Sequence, residues 1–258
     1  MAATIHFATG WKKRTWGFSA VARIRKLWPI TVTAAAGLAV FLLLAIAVTS
    51  GSPLSFDRPV TDALRSLESA ALSLFMRVVT YTASVAGTTL VGLSLCWIQW
   101  RRKGQIRKVG TIVLALGVPT AIGLLLKECF ARSRPLWHPW LVDANGYSFP
   151  SGHTLAAVTM GALILWMGRK PGKTWQNSGL AVALSLWVIL VGMSRVYLGV
   201  HYASDVTASL GAGTTFLSLF YLFAKGESHG RARGNSEEKK RTGVHRGSNT
   251  EGRHRQDY

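Results

Sequence analysis

The chain has 258 residues and a formal net charge of +19, and 49% of its residues are hydrophobic while only 16% are charged. Soluble domains carry roughly 25% charged residues, so this composition argues against a soluble enzyme. Six charge-free segments reach about 18 residues or more, the length that a helix needs to cross roughly 30 Å of hydrocarbon. They are Ile30–Ser50, Val78–Trp100, Val109–Leu126, Ala144–Gly168, Thr174–Ser194 and Val206–Ala224.

Helices are the expected form of these segments, because a backbone in lipid must satisfy its own hydrogen bonds. Six such runs are too many for the core of a soluble all-α protein, which is the alternative interpretation. We therefore predict an all-α fold, a polytopic bundle of six transmembrane helices. Between the first two segments, apolar residues fall at helical spacing from Pro59 to Arg77. This pattern predicts an outer amphipathic helix that packs over the bundle or runs into the second span.

The two ends of the chain differ from the middle. Residues 1–28 are basic and rich in tryptophan, which is typical of a cytoplasmic lead at the membrane interface. Residues 226–258 contain almost nothing apolar and are predicted to be a disordered basic tail. The predicted domains are thus the lead (1–28), a membrane-embedded domain (29–225) and the tail (226–258).

The basic residues are distributed unevenly along the chain. Of the 30 Lys and Arg residues, 23 lie before the first segment, between segments two and three, between four and five, or after the sixth. An even number of spans puts all these regions on one side, and the positive-inside rule makes that side cytoplasmic. We predict a multi-pass plasma-membrane protein with both termini in the cytoplasm. Since topology already explains the charge, a nucleic-acid partner is not predicted.

Three clusters of polar residues lie at the other ends of the predicted spans, on the external side. The first is Lys127 with Arg134-Pro135, the second is Pro150-Ser151-Gly152-His153, and the third is Ser194-Arg195 with His201 and Asp205. For a single residue, snorkelling to the interface is the plain alternative. The convergence of six ionisable residues on one face instead indicates a functional site.

The residue types suit an enzyme that binds phosphate. Lys127, Arg134 and Arg195 supply cations for phosphate oxygens, and a helix that begins near Ser151 and Gly152 offers backbone N–H groups to an anion. His201 and Asp205 are four residues apart, so on a helix they share a face, and a carboxylate there can orient the imidazole. His153 is a second imidazole suited to proton transfer. The spacing to Asp205 favours His201 as the attacking group, but these patterns alone leave both histidines open.

The three clusters resemble the signature motifs of the type-2 phosphatidic acid phosphatase superfamily. The matching patterns are Lys127-x6-Arg134-Pro135, Pro150-Ser151-Gly152-His153 and Ser194-Arg195-x5-His201-x3-Asp205, and all eleven fixed residues agree. The resemblance implies that His201 is a nucleophile that forms a phosphohistidine, that Asp205 orients it and that His153 protonates the leaving oxygen. It also implies roles in holding the phosphoryl group. The implied phosphate-binding residues are Lys127, Arg134, Ser151, Gly152 and Arg195.

The predicted function is therefore that of an integral membrane lipid phosphatase of the bacterial six-span branch, acting at the outer leaflet. Undecaprenyl pyrophosphate and phosphatidylglycerophosphate are the expected substrates, and the bilayer and its lipids are the expected partners. The site offers no carboxylate cluster for Mg²⁺, so no metal or other cofactor is expected. The alternatives are a lipid phosphotransferase that uses the same site and a non-catalytic transporter or scaffold.

Overall fold

The structure is a computed structural model that describes residues 16–102, 105–170 and 172–222, with side chains from residue 27 onward. Every regular element in these ranges is an α-helix, which confirms the all-α prediction for this part of the chain. The helices are α1 (Trp16–Val48), α2 (Asp57–Arg65), α3 (Ala70–Thr82), α4 (Val85–Arg101), α5 (Ile106–Phe130), α6 (Gly152–Gly168), α7 (Thr174–Tyr197) and α8 (203–222). The predicted lead lies partly outside the described residues, and the predicted tail lies wholly outside them.

Several helices are long and apolar enough to cross a membrane. Three qualify singly, namely Leu27–Val48 within α1, α5 and α7. The pair α3 and α4 adds a fourth if the two count as one span, although their axes are bent by 46°. Helix α6 is apolar but has only 17 residues. The described residues thus give three or four spans by length and composition, and the count of six stays a prediction.

The region predicted as one amphipathic helix from Pro59 to Arg77 is divided into α2 and α3, so that prediction was wrong in its extent. Helix α2 ends at Arg65, and α3 begins at Ala70. The hydroxyl of Ser69 accepts a hydrogen bond from the backbone N–H of Leu72 at 3.2 Å and caps the new helix. A serine N-cap satisfies a backbone donor that the first turn leaves free, so it favours a new start over a continuous helix.

The second predicted span, Val78–Trp100, is likewise divided, between α3 and α4. Ser84 caps α4 by accepting from the N–H of Gly87 at 3.2 Å. A Cβ at Gly87 would lie 2.5 Å from the carbonyl oxygen of Thr82. The bend therefore depends on a residue without a side chain at this position.

The fourth predicted span, Ala144–Gly168, begins as a helix only at Gly152. Residues 144–151 form an irregular segment that leads into the first turn of α6. Ser151 is the N-cap of this helix, and its hydroxyl accepts from the N–H of Thr154 at 3.5 Å. The cap explains why the helix begins only at Gly152, well inside the apolar run. The irregular segment before it can therefore form part of a site.

The helices pack in an order that brings α5, α6 and α7 side by side, with α4 against α5 and with α2 and α3 against α7. Helix α1 lies against α8, where Gly37 and Gly211 face each other. A Cβ on Gly37 would come within 2.7 Å of the Gly211 carbonyl oxygen, so the two backbones touch only because both residues are glycine. Near the end of this contact, Phe149 is fully buried among Ala45, Val48 and Ala208, which anchors the segment before α6.

Candidate active site

The three polar clusters meet at one end of the bundle. Lys127 lies in the last turn of α5 and Arg195 in the last turn of α7. Ser151 caps the start of α6, and Asp205 lies in the first turn of α8. Because the chain reverses direction between successive helices from α5 to α8, two C-terminal ends and two N-terminal ends lie at the same level. The packing of α6 between α5 and α7 draws these ends together.

His201 and Asp205 form a buried pair at the start of α8. Nδ1 of His201 lies 3.3 Å from Oδ2 of Asp205, and only 2% of the histidine is exposed. A carboxylate at Nδ1 favours the tautomer with its proton on that nitrogen. The lone pair is then on Nε2, which lies 3.3 Å from Nη1 of Arg134. The arrangement presents the unprotonated nitrogen to a cation-lined space, where an anion would bind.

Asp205 is held by several donors besides His201. Its Oδ2 accepts hydrogen bonds from the hydroxyl of Ser148 and, at 3.0 Å, from the backbone N–H of Tyr202. Its Oδ1 accepts from Nη1 of Arg132 at 2.5 Å. These bonds stabilise the ionised carboxylate and fix its rotation. One carboxylate oxygen is consequently directed to the histidine, while the other is directed to an arginine.

Burial lowers the pKa of His201 to about 3, because a charged imidazole would lose its hydration. The hydrogen bond and charge of Asp205 act in the opposite direction, and the nearby charges of Arg195 and Arg134 lower the pKa further. The imidazole is therefore neutral at physiological pH. A neutral ring is the form that can attack an electrophile.

Arg134 lies in the loop that follows α5 and binds backbone carbonyls with its three nitrogen atoms. Nε donates to Gly146 at 3.0 Å, Nη1 to Val200 at 2.7 Å and Nη2 to Asn145 at 2.8 Å. Burial lowers its pKa, and the charge of Asp205 partly opposes this, yet a guanidinium remains charged at any physiological pH. Arg134 thus ties the loop before α6 to the turn before α8 and leaves its charge next to Nε2 of His201.

Lys127 approaches the same space from α5. Its Nζ donates to the carbonyl of Tyr147 at 2.6 Å. A Cβ built on Gly152 would lie 3.9 Å from Cε of Lys127, so the lysine side chain passes close to the start of α6. The first turn of α6 has free backbone N–H groups, which favour an anion. Lys127 and the N-terminus of α6 can therefore both offer positive charge to the same ligand.

Arg195 is buried, with 4% of its surface exposed. Its Nη1 donates to the hydroxyl of Thr80 at 2.9 Å, whereas its Nε has no hydrogen-bond partner among the described residues. A buried guanidinium with an unpaired N–H is costly. An anionic ligand bound at this point would satisfy that donor.

His153 faces the same group of charges. It lies within electrostatic range of Arg195, His201 and Lys127. Its ring nitrogens make no hydrogen bond to any residue in the described ranges, and the side chain is half-buried in the first turn of α6. An imidazole without a structural partner is available to exchange a proton with a bound ligand.

All eight residues predicted from the sequence are thus brought to one end of the bundle. The structure adds buried residues that the sequence analysis did not assign to the site. They are Asp57, Thr80, Arg132, Ser148 and Ser204. Arg132 lies inside the first motif, two residues before Arg134, and this position is the one sequence feature that could have assigned it to the site. Asp57 and Thr80 come from α2 and α3, far away in sequence, and only the packing of α2 and α3 on α7 brings them near.

The arrangement as a whole suits a ligand with several negative oxygens. Arg134 lies next to the lone pair of a neutral imidazole, and two further cations, a helix N-terminus and a second imidazole lie at the same end of the bundle. In the described part of the chain, no group of three or more His, Cys, Asp or Glu side chains is placed to hold a metal ion. The side chains present can bind an anionic group and attack it with a nitrogen nucleophile.

Comparisons with known proteins agree with this chemistry. Residues 108–228 match the model of the PAP2 superfamily. Phosphatidylglycerophosphatase B of Bacillus subtilis is 28% identical over 188 residues, covering 70% of this chain and 88% of that protein. Undecaprenyl-diphosphatase of Sulfolobus acidocaldarius is 35% identical over 126 residues, which cover 45% of this chain and 56% of that protein.

Solved structures give the same result for the fold. The crystal structure of a transmembrane PAP2-type phosphatidylglycerolphosphate phosphatase from Bacillus subtilis superposes with a TM-score of 0.66 at 25% identity. It covers 75% of this chain and 96% of that one. LpxE of Aquifex aeolicus superposes with a TM-score of 0.51 at 25% identity, covering 64% of this chain and 96% of its own.

Proposed function

We propose that this chain hydrolyses its substrate through a phosphohistidine on His201. The premise is that it carries a PAP2 superfamily domain and is an integral membrane lipid phosphatase. The observation that carries the proposal is the orientation of His201. Its Nδ1 faces Asp205 at 3.3 Å, and its Nε2 lies 3.3 Å from Arg134. A phosphoryl group held by the cations would meet the lone pair of Nε2.

In the first step, Nε2 of His201 donates its electron pair to phosphorus while the bond to the lipid oxygen breaks. His153, in its protonated form, gives a proton to that oxygen, and the lipid departs as an alcohol or, from a diphosphate, as a monophosphate. Asp205 stabilises the positive charge that the attacking ring acquires. Phosphate binding favours the protonated form of His153, because the ligand's negative charge lies next to it.

In the second step, neutral His153 takes a proton from a water molecule, and the resulting hydroxide attacks the phosphohistidine. The nitrogen–phosphorus bond breaks, its electron pair returns to His201, and inorganic phosphate leaves. Lys127, Arg134, Arg195 and the first turn of α6, with Ser151 and Gly152, hold the phosphoryl oxygens in both steps. Their positive charge is fixed before the reaction begins, which is the arrangement that stabilises a developing anionic charge most effectively.

We further propose phosphatidylglycerophosphate and undecaprenyl pyrophosphate as the substrates to test first. The relative that aligns over 88% of its length is named for the first activity, and another relative is named for the second. Both molecules combine a phosphate or diphosphate with a chain that remains in the bilayer. The site at the end of an apolar bundle suits such a molecule, since its phosphate would lie at the membrane surface.

We also propose that the chain has six spans, that its membrane-embedded domain covers residues 29–225, and that its site faces outward. The excess of basic residues between the other ends of the helices supports this orientation. With both termini in the cytoplasm of the cell, the site would face the periplasm or the exterior. Lipid phosphates of the outer leaflet would then be the substrates available to it.

The test is an assay of phosphate release by the purified full-length protein against a panel of lipid phosphates. The panel contains phosphatidylglycerophosphate, undecaprenyl pyrophosphate, phosphatidic acid and a water-soluble phosphomonoester. We expect turnover of at least one of the first two in the presence of EDTA, and inhibition by vanadate, which mimics a five-coordinate phosphoryl group. Strict dependence on added Mg²⁺, or turnover of the soluble ester alone, would contradict the proposal. Adding a lipid acceptor to the assay distinguishes a phosphotransferase, since labelled phosphate would then appear on the acceptor.

A further inference from the structure

Arg132 is enclosed between two carboxylates. Its Nη1 donates to Oδ1 of Asp205 at 2.5 Å, and its Nη2 donates to Oδ2 of Asp57 at 3.1 Å. Its Cζ lies 3.9 Å from the ring centroid of Tyr202, so one face of the guanidinium is covered by an aromatic ring. Only 3% of the residue is exposed. Both terminal nitrogens of Arg132 thus pair with carboxylates, while its Nε, like that of Arg195, has no hydrogen-bond partner among the described residues.

Asp57 is equally fixed. It has no exposed surface and lies at the start of α2. Its carboxylate accepts hydrogen bonds from the backbone N–H and the hydroxyl of Ser204, both at 2.8 Å, and from the N–H of Leu54 at 2.9 Å. Ser204 is the residue immediately before Asp205, and its hydroxyl also accepts from Nη1 of Arg132 at 2.8 Å. Asp57 thus holds both Arg132 and the backbone that carries Asp205.

The charges of this cluster explain why two carboxylates are needed. A buried Arg132 paired with Asp205 alone would neutralise the carboxylate that His201 requires. Asp57 supplies a second negative charge, so the group of three carries a net charge of −1. The two oxygens of Asp205 can then have different partners, with Oδ1 on Arg132 and Oδ2 facing His201. A buried ion pair is weak evidence for stability, so a role in geometry is the better explanation.

We propose that Asp57 and Arg132 form a positioning pair for Asp205, which holds the carboxylate in the rotation and charge state that orients His201. The inference rests on the proposed function, because it assigns the pair a role in the attack by His201. Arg132 acts through Asp205, and Asp57 acts through Arg132 and Ser204. The pair therefore also connects α2, an element outside the three motifs, to the reaction.

The test compares Arg132→Gln, Arg132→Lys, Asp57→Asn and the Asp57→Asn/Arg132→Gln double variant in the purified full-length protein. The measurements are kcat, KM and the midpoint of thermal unfolding in detergent. We expect Arg132→Gln to lower kcat by about 10–100-fold, the range typical of removing an outer partner of a functional side chain. KM should change by no more than about twofold, because a residue that touches only protein adds no uniform substrate binding. Arg132→Lys should restore part of kcat.

Asp57→Asn should lower kcat in the same way, and the double variant should be little worse than Arg132→Gln, because residues of one network are not additive. Arg65→Gln is the matched control. Arg65 is a buried arginine of α2 that donates to the carbonyls of Tyr197 and Pro139 and does not contact Asp205. It should lower the unfolding midpoint while kcat stays near that of the unchanged protein.

Three results would overturn the positioning role while leaving the proposed function intact. They are an unchanged kcat in Arg132→Gln, a rise in KM at constant kcat, and an equal loss of kcat in Arg65→Gln at the same loss of stability. If Arg132→Gln does not fold, the positioning role is tested with Arg132→Lys and Asp57→Asn instead. A normal kcat in both of these variants contradicts the inference. An inactive unchanged protein, or full activity after His201→Ala, would instead overturn the proposed function and the inference with it.

Discussion

Nδ1 of His201 lies 3.3 Å from Oδ2 of Asp205, at the point where the chain enters α8. His201 lies two residues before the first helical residue of α8 and Asp205 lies in its first turn, so the turn that leads into the helix sets their separation. Packing of α8 behind them buries both side chains. The pair is thus a local feature of sequence that tertiary packing places among cations from α5 and α7.

Replacing Asp205 by Asn tests the role of the carboxylate. An amide cannot hold the His201 tautomer or stabilise its positive charge, and it leaves Arg132 with one fewer anionic partner. We expect kcat to fall on the order of 10³–10⁴-fold, the size of effect known when the orienting carboxylate of a catalytic histidine becomes an amide. Asp62→Asn is the control, because Asp62 is an exposed carboxylate paired with His138 and Arg58. A loss of similar size in both variants would contradict a specific role for Asp205.

The low pKa of His201 predicts that its imidazole does not titrate near neutrality. Since burial lowers the pKa to about 3, the folded protein should keep this ring neutral from pH 8 down to about pH 4.5, whereas an unfolded chain would bind a proton near pH 6.5. The measurement is ¹⁵N NMR of labelled histidine in detergent, with the signal assigned by its absence in His201→Asn. A flat chemical shift over that range is expected. A titration midpoint between pH 6 and 7 would contradict the neutral-nucleophile assignment.

Sidedness can be measured by thiol labelling in intact cells. In a background with Cys96→Ser and Cys129→Ser, Asn145→Cys places a thiol in the segment before α6, and Thr174→Cys places one at the start of α7, at the opposite ends of the helices. Both positions are exposed in the structure. An impermeant maleimide should label Asn145→Cys from outside and should label Thr174→Cys only after permeabilisation. The reverse pattern would put the active site in the cytoplasm and exclude outer-leaflet substrates.

The sequence predicted which polar residues meet at one end of the bundle better than it predicted the bounds of the helices that carry them. His201 and Asp205 follow from local spacing, and Lys127, His153 and Arg195 follow from their places at the ends of apolar runs. The ends of helices inside apolar runs depend on capping residues. A single serine such as Ser84 or Ser69 can start a new helix while the hydropathy of the run stays almost the same. Asp57 could not be assigned, because its role depends on a contact with Ser204, which is 147 residues away.

The most direct test of the account is to trap the phosphorylated intermediate. The purified protein is mixed with a ³²P-labelled lipid phosphate that it turns over, quenched in alkali on the millisecond scale, and mapped by mass spectrometry. We predict an acid-labile, alkali-stable label on His201, no label and no turnover in His201→Ala, and a turnover reduced by about 10²–10⁴-fold in His153→Ala, as for a missing general acid. Near-normal turnover in His201→Ala, or a label on any other residue, would contradict the mechanism.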